Sequence, residues 1–343
     1  MKRIVLLFLI SFVPMAFGNE ANRTAELKIH SPSLEGNLLG DSSERSISVY
    51  LPPSYFQETN RRYPVLYVLH GNRVNRIADD FFELPRSPSQ KTMDNLIKNG
   101  VAKDMIVVHP DGRNRYGGCQ YANSEVSGNW ADFIVKELVG YIDAHYRTLA
   151  KAESRALVGS SMGGRGVLDL ALKFPDTYGI VYAMFPGQMG FERFPREADA
   201  KLWNELTLSK NPNPTNRSLM RLLGFAVAFS PNPESPPYFA DFPMSLEGET
   251  IHMDKEVMQR WAKFDPVEVA TKDASPLLQL KALYFDCGSS DSGLAAAKLF
   301  SKILTKQNIP HVFEEYEGGH GDRNGERMKK RVLPTISKHL VYD

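Results

Sequence analysis

The chain has 343 residues, 42% hydrophobic and 24% charged, with 41 Lys and Arg against 40 Asp and Glu. This composition belongs to a globular protein and excludes a disordered, collagen-like or low-complexity chain. A net charge of +1 gives no support to a polyanion binder, so no nucleic acid is expected as a partner. The one dense basic run, Lys329-Lys330-Arg331, reads as a solvated helical face.

Lys2 and Arg3 precede an uncharged apolar stretch from Ile4 to Phe17, and Ala16 and Gly18 are small. This is the layout of a secretory signal peptide over residues 1–18, cleaved near Gly18. The expected mature chain, 19–343, is secreted or periplasmic. No later stretch reaches the ~18 consecutive apolar residues of a membrane helix, so the mature chain is expected to have no membrane span. Export to an oxidising compartment leaves two states for Cys119 and Cys287: a disulfide or two buried thiols.

Further along, Ile47, Val49 and Leu51 alternate with Ser46, Ser48 and Tyr50, the pattern of a half-buried strand. Residues 63–70 (YPVLYVLH) and 105–109 (MIVVH) are apolar runs closed by turn residues. Such runs fit strands buried on both faces of a sheet. Thr92 to Asn99 reads as a helix between them. A helix from Trp130 to Arg147, a strand from Arg155 to Gly159 and a helix from Met162 to Phe174 follow; Pro175 stops the last. Tyr178 to Phe185 is the next strand. Ala282 to Phe285, Gly293 to Leu304, Val312 to Tyr316 and Gly325 to Leu340 then read as strand, helix, strand and helix.

Alternating strands and helices predict an α/β fold, a mostly parallel central sheet with helices on both faces. The roughly ninety residues between Phe185 and Ala282 are too many for a structureless loop. They read as an inserted, partly helical cap over 188–278.

Gly159-Ser160-Ser161-Met162-Gly163 matches G-x-S-x-G, with a strand before it and a helix after it. The glycines permit a sharp turn, and Ser161 then stands at a helix N-terminus that favours negative charge. A serine hydroxyl needs a base, and on this kind of fold the partners follow in the order Ser, acid, His. Of eight histidines, His320 lies in the glycine-rich loop directly after the last strand and reads as the base. Asp286 and Asp291 compete for the acid. Asp286 continues its strand and reads as structural; Asp291 lies beyond the turn, with the reach to orient an imidazole. Two N–H donors for an oxyanion hole are expected from Met162 and from Asn72, in the loop His70-Gly71-Asn72. His70 reads as shaping that loop.

Trp203 and Trp261 read as packing residues. Arg113, Arg115 and Arg165, near the predicted mouth, read as solvated surface arginines. No phosphate loop, dinucleotide fingerprint or metal-ligand spacing is present, so no cofactor and no metal are expected.

The runs VYLPPSY…YPVLYVLHG, HPDGR…YANS…GNWADFIVKELVGYIDAHYRT and RALVGSSMGGRG resemble the esterase D family. That family includes feruloyl and acetyl xylan esterases, S-formylglutathione hydrolases, enterochelin esterases and antigen 85 mycolyltransferases. The resemblance runs from Ser46 to Phe185 and resumes at Ala282. It implies an α/β-hydrolase fold and a serine carboxylic ester hydrolase that works through an acyl-enzyme, without a cofactor, on a small-molecule or carbohydrate ester. It places the nucleophile on Ser161, the acid on Asp291, the base on His320 and the first oxyanion donor on Asn72. Two other expectations compete with it. One is an acyltransferase to a sugar or other alcohol acceptor; the other is a non-catalytic binding protein on the same fold.

Overall fold

A computed structural model describes residues 22–72, 89–191, 193 and 197–342. The expected signal peptide, 1–18, lies outside the described residues. Among the described residues, twelve strands occur in chain order: β1 (Thr24–His30), β2 (Glu44–Tyr50), β3 (Val65–Leu69), β4 (Ile106–Pro110), β5 (Asn123–Ser124), β6 (Gly128–Asn129), β7 (Arg155–Ser160), β8 (Ile180–Met184), β9 (Met244–Glu247), β10 (Thr250–Met253), β11 (Ala282–Gly288) and β12 (Val312–Tyr316). Eight of them form one sheet in the order β1-β2-β4-β3-β7-β8-β11-β12. β2 pairs antiparallel with β1 and β4, and every other pairing in the sheet is parallel.

Every residue of β3, β4 and β8 is buried, which is why these strands read as unbroken apolar runs. Val65, Tyr67 and Leu69 enter one core, and Leu66 and Val68 enter a second on the opposite face. Helices cover both faces. α2 (Trp130–Asp132) and α3 (Val139–His145) are joined by the π-helical stretch Phe133–Leu138. They cover the first face with α4 (Met162–Lys173) and α9 (Leu294–Lys306). α1 (Gln90–Lys98), α10 (Asn324–Arg327), the π-helical Met328–Val332 and α11 (Leu333–His339) cover the second. β1 was not anticipated. It buries only Ala25 and Ile29, too few apolar positions to print a period on the sequence.

The segment between β8 and β11 holds α5 (Glu197–Ser209), α6 (Arg217–Phe229), the β9–β10 hairpin, α7 (Lys255–Ala262) and α8 (Pro266–Lys272). Trp203, Phe225, Phe229, Met244 and Trp261 build a third core here. Trp261 lies 4.9 Å from the Phe191 ring and 5.5 Å from the Phe229 ring, contacts worth about 0.5–1.5 kcal/mol each beyond the area they bury. Its indole N–H donates to Ser230 Oγ at 2.7 Å. Trp203 and Trp261 are thus packing residues, as their sequence context suggests. α8 packs differently: Val267 and Ala270 join the first core, against α4 and α9.

One expectation fails here. Arg165 is fully buried, not solvated. Its guanidinium donates to Phe264 O at 2.9 Å and to Gln120 O, and lies 4.6 Å from the centroid of the Phe229 ring. Its partners are remote in the chain on both sides, Gln120 upstream and Phe229 and Phe264 downstream, which no local pattern reveals. Arg113 is bound to Asp111 at 2.6 Å, and Arg115 is exposed beside Asn213. Lys329, Lys330 and Arg331 are exposed. Cys119 and Cys287 are both buried free thiols. Burial pushes each up to about 12, which keeps them protonated and unreactive at neutral pH. Among the described residues, no helix is long and apolar enough to cross a membrane.

Candidate active site

β7 runs straight into α4 through Ser161, whose φ of 56° and ψ of −114° lie outside the regions side chains prefer. Such a conformation costs about 1–3 kcal/mol and persists only where neighbours over-determine it. Here they do. Ser161 N donates to Met184 O at 3.0 Å, and Ser161 O accepts from Gly187 N at 2.9 Å and from Arg165 N at 3.0 Å. The flanking glycines are required by backbone contact. A Cβ on Gly163 would sit 2.3 Å from Leu69 O, and one on Gly159 would sit 2.2 Å from Gly163 O.

Ser161 Oγ is 2.8 Å from His320 Nε2. His320 Nδ1 is 2.7 Å from Asp291 Oδ2. With a proton on Nδ1, the imidazole donates to the carboxylate and presents Nε2 as an acceptor to the hydroxyl. The acid and histidine loops are stitched together by their backbones. Ser289 N donates to Tyr316 O at 2.7 Å and Ser290 N to Gly318 O at 2.9 Å. Asp291 Oδ1 accepts from Gly293 N at 2.8 Å. The Asp291 side chain is 2% exposed against 44% for His320. Burial pushes the Asp291 carboxyl up, but the hydrogen bonds from His320 and Gly293 outweigh it and hold it below the usual carboxylate range. It is therefore an anion at neutral pH, suited to hold an imidazolium.

The residues of the two expected N–H donors, Met162 and Asn72, line the same cavity as Ser161. Met162 N is the first N–H of α4, where the helix dipole favours negative charge. Asn72 follows Gly71, which packs so closely that a Cβ there would sit 3.1 Å from Ser161 Cβ. Among the described residues, neither N–H enters a backbone hydrogen bond. His70 shapes this loop, as read from the sequence: its Nδ1 donates to Gly71 O at 2.7 Å and its Nε2 accepts from Gly112 N at 2.9 Å.

A cavity of about 640 Å³ opens over Ser161, His320, Asn72 and Met162. Its opposite wall comes from the segment between β8 and β11, with Phe191, Phe225 and Met244 as apolar surface and Asp199, Ser218 and Arg221 as polar groups. Asp199 accepts from Arg221 at 3.1 Å. Sequence reasoning missed this wall and also the Asn72 side-chain amide, whose nitrogen is buried with no partner among the described residues. Among the described residues, no group of three or more His, Cys, Asp or Glu side chains could hold a metal ion.

Comparison with known proteins gives the family and the fold. The model of the family described as Putative esterase matches residues 42–324. The chain belongs to this family. It is 28% identical over 281 residues to Esterase Rv1288 of Mycobacterium tuberculosis (strain H37Rv), covering 80% of this chain and 52% of that protein. It therefore spans about half the length of the curated relatives it matches first. It is also 30% identical over 141 residues to an endo-1,4-beta-xylanase/feruloyl esterase of Xylanibacter ruminicola, covering 39% of this chain and 18% of that one. Among solved structures, a ferulic acid esterase superposes with a TM-score of 0.62 at 20% identity, covering 92% and 98% of the two chains. An S-formylglutathione hydrolase from Agrobacterium tumefaciens superposes with a TM-score of 0.59 at 16% identity, covering 93% and 95%. These likenesses establish the α/β-hydrolase fold for this member of the family.

Proposed function

We propose that this chain is a serine carboxylic ester hydrolase that works through an acyl-enzyme. The observation that carries the reading is the chain of two hydrogen bonds, Ser161 Oγ to His320 Nε2 at 2.8 Å and His320 Nδ1 to Asp291 Oδ2 at 2.7 Å. Ser161 Oγ attacks the ester carbonyl as His320 Nε2 takes its proton. The Asn72 and Met162 N–H groups stabilise the oxyanion, in a site where fixed donors act strongly. His320 then protonates the leaving alcohol, and the acyl group stays on Ser161. Water, deprotonated by His320, releases the acid. Asp291 stays ionised throughout and holds the imidazole in the tautomer that leaves Nε2 free.

In this reading residues 1–18 direct export, and the segment 188–278 acts as a cap that limits the substrate to what a 640 Å³ cavity admits. Small-molecule esters and carbohydrate esters carrying a compact acyl group fit that limit. Hydrolysis of p-nitrophenyl esters, acetyl through dodecanoyl, by the native protein beside Ser161→Ala tests it. Turnover by the native protein alone, with an optimum among short acyl chains, is the expected result. Equal turnover by both proteins contradicts it.

A further inference from the structure

Asp286, the carboxylate set aside in the reading of the sequence, lies in a closed network next to the site. Its side chain is 0% exposed. Oδ1 accepts from Phe185 N at 3.0 Å. Oδ2 accepts from the Tyr182 hydroxyl at 3.0 Å and from Arg327 Nη2 at 2.7 Å and Nε at 3.0 Å. Arg327 also reaches Glu314 Oε2 at 3.0 Å. The parallel register sets Ser160, Met184, Asp286 and Glu314 level across β7, β8, β11 and β12. The network thus closes at the carboxyl end of the sheet, from which Ser161 emerges.

What Asp286 holds is a strained turn. Phe185 is fully buried with a φ of +33°, a region that residues with a bulky side chain enter rarely and only under constraint. The residues on either side of it grip Ser161: Met184 O accepts from Ser161 N at 3.0 Å, and Gly187 N donates to Ser161 O at 2.9 Å. The Phe185 ring meets the imidazole of His320 edge to face, with centroids 5.1 Å apart and planes at 81°. One four-residue turn therefore touches the backbone of the serine and the ring of the histidine. Neither Phe185 nor Asp286 lines the cavity.

We propose that Phe185 and Asp286 are positioning residues for the Ser161–His320 pair: Asp286 fixes the turn at Met184–Gly187, and the turn sets how hydroxyl and imidazole meet. The inference rests on the reading of Ser161 and His320 as nucleophile and base. It assigns Asp286 a task beyond holding its strand, because the N–H it receives belongs to the residue whose ring fixes the imidazole.

The test uses the full chain with Phe185→Leu, which fills similar space without an aromatic ring, and with Asp286→Asn and Asp286→Ala. Phe185→Leu is expected to lower kcat about 10- to 100-fold, the scale of a misplacement near 1 Å. KM stays within about twofold, and fluorophosphonate labelling slows in step with kcat. Asp286→Asn keeps an acceptor oxygen for Phe185 N–H and is expected to retain more kcat than Asp286→Ala at equal folded fraction. If the Asp286 variants do not fold, Phe185→Leu decides alone. A folded Phe185→Leu protein with native kcat and native labelling rate overturns the inference while leaving the serine hydrolase reading intact. A native protein that neither turns over esters nor takes the label overturns both.

Discussion

At the carboxyl ends of β7, β11 and β12, Ser161, Asp291 and His320 are set by backbone. Ser161 is gripped by Met184 and Gly187, and the loops of Asp291 and His320 are tied by Ser289 and Ser290 to Tyr316 and Gly318. In the segment between β8 and β11, the wall that faces them is set by side chains, an aromatic cluster around Trp261 and Phe229 that Arg165 touches. Backbone clamps fix a position to a fraction of an ångström and tolerate little change. A side-chain cluster fixes the presence of a wall and leaves its lining free to vary. In the proposed reading, chemistry sits on the first region and substrate selection on the second.

The comparison breaks if a small change at the carboxyl ends of the strands is harmless. Gly163→Ala forces a Cβ to within 2.3 Å of Leu69 O, a backbone clash that no rotamer relieves. Loss of more than about 4 kcal/mol of stability, or failure to fold, is expected by urea titration. Trp261→Ala is next. Removing a buried Trp costs about 3–5 kcal/mol, and the loss belongs to the insertion. Denaturant unfolding is expected to weaken, and KM for long esters to rise more than kcat falls. A larger fall in kcat would mean that the insertion also places the chemistry.

The smallest effect sharpens the joint between the two regions. Asp265 accepts from Phe191 N and Val267 N, each at 3.0 Å. Burial raises its carboxyl to about 6 despite these donors. A folded pKa above the unfolded value near 3.9 means that the folded state binds the proton more tightly. Its contribution is full below about pH 4 and is lost as pH rises through about 6, by up to about 3 kcal/mol. The stability difference between native protein and Asp265→Asn should therefore shift toward the variant from pH 4 to pH 7. A flat difference would place Asp265 in a more solvated setting.

Much of the carboxyl end of the sheet was legible because it is local. G-x-S-x-G between a strand and a helix, a histidine after the last strand and an aspartate beyond a turn are patterns of a few residues each. The buried runs of β3 and β4 announce themselves by composition. Legibility ended where contacts span the chain. Arg165 meets Phe264 across 99 positions, and Asp286 meets Phe185 N across 101. The polar pair Asp199 and Arg221 lies in helices whose apolar period shows only that they pack. Such meetings depend on how the chain returns, which no window of sequence contains.

The most direct measurement of the central claim is mass-spectrometric mapping of a fluorophosphonate adduct on the native protein. A single adduct on Ser161, lost in His320→Ala and in protein labelled after acid unfolding, is the predicted result. An adduct on Ser160 or on another serine, or none on a folded native protein, would contradict the assignment of Ser161 as the nucleophile.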